Sequence, residues 1–169
     1  MSFLRPIALV AALLLAGGCA YRMGPTNGER AGTRTIKVTP FENKTIEPRL
    51  IEAVGAALRR ELQQDGTYKL HTGSDPDLIV TGRILKYERH AISVRPTDAL
   101  SPLDMRITII AHVTARERTS GKVIVDREIT GHTEVRAESD LVSAERQSLP
   151  LAARSLARSA TALIVDGTW

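Results

Sequence analysis

Apolar and polar side chains alternate along much of this 169-residue chain, with the two-residue period of β-strands that have one buried face. The alternation is strongest over residues 103–136, where odd-numbered positions are mostly apolar on both sides of a Thr-Ser-Gly segment. Shorter β-rich segments over residues 34–41 and 68–72, and a long one over residues 78–94, predict three further strands. We expect the long strand to bend or bulge near Gly82.

The two strands of the alternating region form a predicted antiparallel hairpin whose register follows from the alternation. The odd-numbered faces coincide only if the numbers of paired residues sum to an even number. A three-residue loop over residues 119–121 meets this condition, and its glycine can adopt the left-handed conformation of a bulged turn. This register places Arg106 opposite Glu134 and His112 opposite Glu128, which are favourable cross-strand pairs. A two-residue loop would mix the two faces.

Two segments have the three- and four-residue apolar spacing of amphipathic helices, residues 48–64 and residues 149–165. Each has a proline close to its start, Pro48 and Pro150, where the first helical turn tolerates the missing N–H group. Strands combined with two such helices predict an α+β fold, a two-layer sandwich with both helices packed on one face of the sheet. We expect a mixed, mostly antiparallel sheet of four to five strands in a single domain over residues 34–169.

The first 18 residues have the pattern of a bacterial secretory signal, with Arg5 before ten apolar residues and then two glycines. Cys19 follows, and residues 15–19 therefore resemble a lipobox, in which the cysteine is acylated and becomes the first mature residue. The alternative is an ordinary signal peptide with an incidental cysteine. Residue 20 is Ala, whereas inner-membrane retention typically uses Asp there, so the resemblance implies the periplasmic face of the outer membrane.

Residues 19–33 comprise this cysteine and a glycine-containing tether without apolar periodicity. The part of the tether after the cysteine reaches at most about 50 Å when fully extended. The predicted domain is therefore expected to stay close to its membrane.

The residue composition limits the chemistry of the chain. One cysteine excludes an internal disulfide framework and a cysteine-rich zinc site. The four histidines lie far apart in sequence, and neither a P-loop nor a Gly-x-Ser-x-Gly motif is present. We therefore expect no enzyme, no cofactor and no metal. A hydrolase using Asp75 and Asp77 or a histidine is the weakest alternative, because nothing positions a nucleophile and aspartates beside a turn proline usually bond the backbone.

The net charge of +4 favours anionic partners. Guanidinium groups hold phosphate in a bidentate manner, so basic residues on a strand face could bind an anionic lipid head group. Aromatic residues make up only 4% of the chain, which argues against stacking on bases and hence against nucleic acid. An ordinary solvated strand face is the alternative. The candidates for contact with phosphate are Arg83, Lys86, Arg106 and Arg116.

Several segments, taken in order, resemble the LPS-assembly lipoprotein LptE family. Residues 36–48 resemble its I-x-V-x-x-F-x-N-x-T-x-E-P entry from strand to helix, and residues 77–84 resemble the segment A-D-x-x-L-x-G-x-I that follows. Residues 19–24 are similar to the Cys-Gly-Tyr opening of the family, and residues 119–122 match its hairpin turn. The resemblance extends over nearly the whole mature chain.

This resemblance implies a non-enzymatic protein that sits inside and beneath the outer-membrane β-barrel LptD, assists its assembly and binds lipopolysaccharide (LPS) on its way outward. The implied partners are an LptD-type barrel, LPS, and the membrane through Cys19. The alternative is an outer-membrane lipoprotein that activates a peptidoglycan synthase, since such proteins can share the F-x-N-x-T entry. Their long disordered tethers differ from the short one predicted here.

Overall fold

The computed structural model describes residues 31–95, 98–136 and 141–166, in which six strands form one mixed sheet and two helices pack against it. The predicted α+β class is confirmed, and the sheet has one strand more than expected. In chain order the elements are β1 (Arg34–Val38), β2 (Glu42–Asn43), α1 (Leu50–Asp65), β3 (Tyr68–Leu70), β4 (Leu78–Arg95), β5 (Asp98–Glu117), β6 (Val123–Arg136) and α2 (Leu141–Asp166).

The strand order is β3-β1-β4-β5-β6, with β1 parallel to both neighbours and β4, β5 and β6 mutually antiparallel. The additional strand, β2, is also parallel to β4. It pairs with β4 on the same side as β1 does, further along β4. The strand predicted over residues 34–41 ends at Val38, before Pro40, which has no N–H group to donate, and β2 starts just beyond the predicted range. On either side of this break, Thr39 N–H donates to the Val80 carbonyl at 3.0 Å and Lys44 N–H to the Ile84 carbonyl at 2.9 Å.

The core lies between one face of the sheet and the two helices. Helix α1 contacts β1 and β3, whereas α2 contacts β5, β6 and α1. In the middle of β5, from residue 107 to residue 115, the odd-numbered residues are fully buried: Ile107, Ile109, Ala111, Val113 and Ala115. Helix α2 buries small side chains, which allow a helix to lie close to a sheet: Ala152, Ala153, Ala157 and Ala160.

The predicted register of the β5–β6 hairpin is confirmed, with Arg106 opposite Glu134 and His112 opposite Glu128. The predicted three-residue loop is wrong. The N–H of Glu117 donates to the carbonyl of Lys122 at 2.9 Å, which encloses a four-residue loop. A register shift next to Ala115 offsets the longer loop, so the body of the hairpin keeps its even-sum register.

The bulge of β4 that lies nearest the expected position is at Leu85, where the pairing with β5 shifts between Ile84 and Lys86; further shifts follow after Ala91. The expected position, Gly82, makes room for an aromatic ring instead. A Cβ atom at Gly82 would lie 2.7 Å from ring carbons of Phe41, which is almost fully buried. The glycine is therefore explained by packing and not by a bend.

Helix α2 begins at Leu141, well before the predicted start at residue 149, and Pro150 therefore lies inside the helix and not in its first turn. A proline at this position leaves the carbonyl of Arg146 without its helical N–H donor. The exposed Pro150 has solvent on one side, which accommodates this loss. Neither described helix combines the length and the apolar character that a membrane span requires.

Candidate functional site

The sheet face opposite the two helices consists of the side chains that alternate with the core positions. We call this surface the open face, and its β5 residues are all half-buried or exposed. On the three long strands it includes Ile79, Thr81, Arg83, Lys86, Glu88 and His90 of β4, Arg106, Thr108, Ile110, His112, Thr114 and Arg116 of β5, and Asp126, Glu128, Thr130, His132 and Glu134 of β6.

The bulge in β4 brings two of the predicted candidates together on the open face. Arg83 and Lys86 are three residues apart, so in a regular strand they would point to opposite faces. Because Leu85 is unpaired in the bulge, Arg83 lies opposite His112 and Lys86 lies opposite Ile110. Those β5 residues are two positions apart, about 7 Å along the strand. Arg83 and Lys86 are therefore neighbours on one surface.

The other two candidates, Arg106 and Arg116, also lie on the open face but far from each other. They are separated by about 34 Å along β5 at 3.4 Å per residue, so one head group cannot contact both. Arg106 is already engaged, since its Nη2 lies 2.6 Å from Glu134 Oε1. Of the four candidates, the structure groups only Arg83 and Lys86.

Basic residues predominate on β4 and β5 of the open face, although Glu88 also lies on β4, and carboxylates predominate on β6. His112 Nε2 lies 3.5 Å from Asp126 Oδ1, diagonally across the hairpin. Within the part of the chain that the structure describes, no carboxylate forms an ion pair with Arg83, Lys86 or Arg116. These three charges are therefore available to an external anion.

The positive charge around Arg83 also acts on a neighbouring carboxyl group. Glu42 of β2 lies beside Arg83 in the sheet register. The ion-paired Lys44 ammonium and, more weakly, the Arg83 guanidinium lower the pKa of Glu42. This region of the surface therefore stabilises negative charge.

Sequence reasoning did not select two apolar residues beside the Arg83–Lys86 pair. Ile110 lies directly opposite Lys86, and the bulge residue Leu85 comes just before Lys86 in the chain. The side chains of Ile110 and Leu85 are half-buried. An isoleucine among the otherwise polar even-numbered residues of β5 was the available signal. The pair of cations thus adjoins an apolar spot.

The aspartates of the hydrolase alternative make turn and strand contacts. Asp77 Oδ2 accepts hydrogen bonds from the Thr35 N–H at 2.7 Å and the Thr35 hydroxyl at 2.8 Å, and these bonds lower the pKa of the Asp77 carboxyl. Asp75 lies 3.8 Å from the Arg118 guanidinium. The Asp77 contacts join β4 to β1. Among the described residues, no three His, Cys, Asp or Glu side chains cluster as metal ligands do.

The segment between β2 and α1 is held by its own polar side chains. Asn43 Oδ1 accepts hydrogen bonds from the Thr45 N–H at 3.0 Å and the Thr45 hydroxyl at 2.8 Å. Asn43 Nδ2 donates to the Glu47 carbonyl at 2.8 Å. Asn43 and Thr45 therefore fix the turn that leads into α1.

The predicted acylation site, Cys19, lies outside the residues that the structure describes.

Comparison with protein families gives one match, which covers residues 33–166 and is described as LptE, lipopolysaccharide-assembly. This range contains all of the described strands and both helices. The curated proteins give no match to the sequence.

Solved structures share the fold at low sequence identity. Protein XCC0632 from Xanthomonas campestris superposes with a TM-score of 0.63 at 11% identity, over 86% of this chain and 91% of its own. Hypothetical protein CT253 from Chlamydia trachomatis superposes with a TM-score of 0.53 at 9% identity, over 78% of this chain and 93% of its own. A minor lipoprotein from Acinetobacter baumannii superposes with a TM-score of 0.51 at 14% identity, over 78% of this chain and 92% of its own. At these identities the likeness concerns the fold alone.

Proposed function

The chain belongs to the LptE lipopolysaccharide-assembly family, and from this we propose that it is an outer-membrane lipoprotein that plugs a barrel of the LptD type. In this proposal it assists assembly of the barrel and binds LPS on its way to the cell surface. The observation that carries the proposal is the family match over residues 33–166. The family is non-enzymatic, so binding and assembly, and not catalysis, are the expected activities.

The proposed anchor is the acylated Cys19 that remains after removal of residues 1–18, followed by the tether that ends at residue 33. Each buried CH₂ of an acyl chain contributes about 0.8 kcal/mol, and stable anchoring takes more than one lipid signal. The chain enters the sheet at Arg34, which forms an ion pair with Glu117 at the end of β5. Arg116 therefore lies at the end of the open face nearest the proposed anchor on the periplasmic face of the outer membrane.

The proposed LPS-binding surface is the open face, with Arg83 and Lys86 at its centre. Lipid A carries phosphate groups on an acylated sugar, so it combines anionic and apolar parts. Two cations without carboxylate partners beside the half-buried Ile110 and Leu85 match this combination. Arg116 adds a third available cation toward the tether, whereas Arg106 must first leave Glu134.

A polar open face also suits the interior of a barrel. The lumen of outer-membrane barrels is polar, whereas their outer surface is apolar. Threonines between the charged residues of the open face give hydroxyl groups that can bond a polar wall or sugar hydroxyls: Thr81, Thr108, Thr114 and Thr130.

The test of this function is affinity isolation of the full acylated chain from its own cells. We expect a β-barrel of the LptD type to be recovered in near-equal amount with the tagged protein, identified by mass spectrometry. The matched control is Cys19→Ser, which leaves every described residue unchanged and removes the acylation site. Recovery should fall strongly in that variant, because the domain is no longer held at the membrane. Recovery of a penicillin-binding protein without a barrel would contradict the proposal and support an activator of peptidoglycan synthesis.

A further inference from the structure

A groove of about 470 Å³ runs between α1 and α2 on the side of the helices that faces solvent. Alanines of α1 and the leucines and proline of α2 form its apolar part, which we call the floor, and arginines of both helices and glutamates of α1 supply its charges. The groove lies on the opposite side of the sheet from the open face. Its lining comprises Arg49, Glu52, Ala53, Ala56, Ala57, Arg60 and Glu61 of α1 and its N-terminal cap, and Arg146, Leu149, Pro150, Leu151 and Arg154 of α2.

The charges along the groove are only partly compensated within the domain. Arg154 Nε lies 2.8 Å from Glu61 Oε1, a carboxylate whose side chain is only 11% exposed. Arg49 Nε lies 2.7 Å from Glu47 Oε1. No carboxylate of the described residues forms an ion pair with Arg60 or Arg146. Glu52 of the lining is also exposed and forms no ion pair with a described cation, so the groove presents two guanidinium groups and one carboxylate that have no ion-pair partner among the described residues.

The two helices run in the same direction along the groove, since Arg49 interacts electrostatically with Glu145, the neighbour of Arg146, and Glu61 pairs with Arg154 further along both helices. From Arg49 to Glu61 the floor extends about 18 Å at 1.5 Å per residue, which is more than three helical turns. Arg60 and Arg146 thus lie toward opposite ends and on opposite walls. Leu151 of the floor is 55% exposed, so part of the floor is an apolar surface open to solvent.

We propose that this groove binds an amphipathic helix of a partner protein that carries acidic residues on both sides of its apolar stripe. Small alanine side chains on the floor allow a third helix to approach closely. Carboxylates spaced along such a helix can pair with Arg60 at one end and Arg146 at the other. A single-headed anionic lipid places its charge at one end only, so the spread of the two arginines favours the helix.

The test uses the full chain with Cys19→Ser, so that no acyl anchor requires detergent, and a labelled synthetic peptide of about 18 residues. The peptide has a leucine stripe flanked by glutamates, and a second peptide has lysines in place of the glutamates. Fluorescence anisotropy should show binding of the acidic peptide with a Kd on the order of 10 μM. The basic peptide should bind at least about tenfold more weakly.

A charge exchange then separates this site from general attraction to a basic protein. The double variant Arg60→Glu and Arg146→Glu should weaken binding of the acidic peptide about tenfold and strengthen binding of the basic peptide. The matched control, Arg59→Glu with Arg127→Glu, changes the net charge of the protein by the same amount, but at residues outside the groove. It should leave the affinity for both peptides unchanged. Equal weakening in the control, or no preference for the acidic peptide, overturns the proposal. Binding of dodecyl phosphate that depends on Arg60 and Arg146, without peptide binding, also overturns it and identifies a lipid site.

Discussion

Replacing Gly131 of β6 by alanine is expected to destabilise the fold by about 3 kcal/mol or more, because the new methyl group has no space. A Cβ atom at this position would lie 2.6 Å from the Ala152 carbonyl oxygen and closer still to the backbone nitrogen of Leu156. Both atoms belong to the backbone of α2, so no side-chain rotation relieves the contact. The helix would have to move away from the sheet and lose packing along its buried alanines.

Thermal unfolding followed by circular dichroism measures this effect, and a loss of 3 kcal/mol corresponds to a fall in Tm of about 10 °C. Gly55→Ala is a matched control in α1, since its Cβ would meet nothing closer than the Arg59 guanidinium at 3.5 Å. That change should stabilise the protein by about 0.5–1 kcal/mol through helix propensity. A Tm for Gly131→Ala equal to or above that of the parent protein would contradict the close packing of α2 on β6.

The double charge reversal Arg83→Glu and Lys86→Glu is expected to weaken LPS binding by at least about tenfold, and the loss should be largest at low ionic strength. Neither cation forms an ion pair with a described carboxylate, and Glu42, the neighbour of Arg83 in the register, is itself paired with Lys44, so reversal removes two attractive charges without breaking an internal ion pair. Reversal of Arg106 would also leave Glu134 facing a second carboxylate. It is therefore the less informative variant.

Binding of the full acylated chain to immobilised LPS measures this effect. The control Arg59→Glu with Arg127→Glu carries the same net charge away from the open face and should bind as the parent protein does. If both double variants lose affinity equally, binding follows net charge and the open face has no special role.

Much of the β5–β6 hairpin could be predicted because one face is buried and the other is polar. A shift of one residue would move every core side chain to solvent, so Arg106 had to lie opposite Glu134. The loop was less constrained, since a four-residue loop compensated by a bulge gives the same register as a three-residue loop. Turn length therefore could not be deduced from the alternation alone.

Other features depend on contacts between distant segments, which have no local signal. Gly82 in a strand suggested a bulge, but it is required by the Phe41 ring, 41 positions earlier in the chain. The start of α2 at Leu141 coincides with contacts to β4: Tyr87 donates a hydrogen bond to Glu145 at 2.9 Å, and Arg89 lies 2.9 Å from the same carboxylate. Tertiary contacts of this kind extend a helix beyond its apolar pattern.

The candidate site illustrates the same limit. Residue type and charge identified Arg83 and Lys86, but their opposite parity would separate them in a regular strand. Only the bulge at Leu85 makes them neighbours. Conversely, parity placed Arg106 and Arg116 on one face, and their spacing of about 34 Å shows that a shared face is not a shared site.

Site-specific photo-crosslinking in living cells tests whether LPS contacts the open face while the protein is held in its barrel. A photoreactive residue at Thr81, exposed on β4 and two positions from Arg83, is compared with one at Gln63, exposed on α1. Barrel co-isolation confirms that both variants assemble. We predict an LPS adduct at Thr81 and none at Gln63. If the assembled protein forms its LPS adduct at Gln63, or forms none at Thr81, LPS does not contact the open face as proposed.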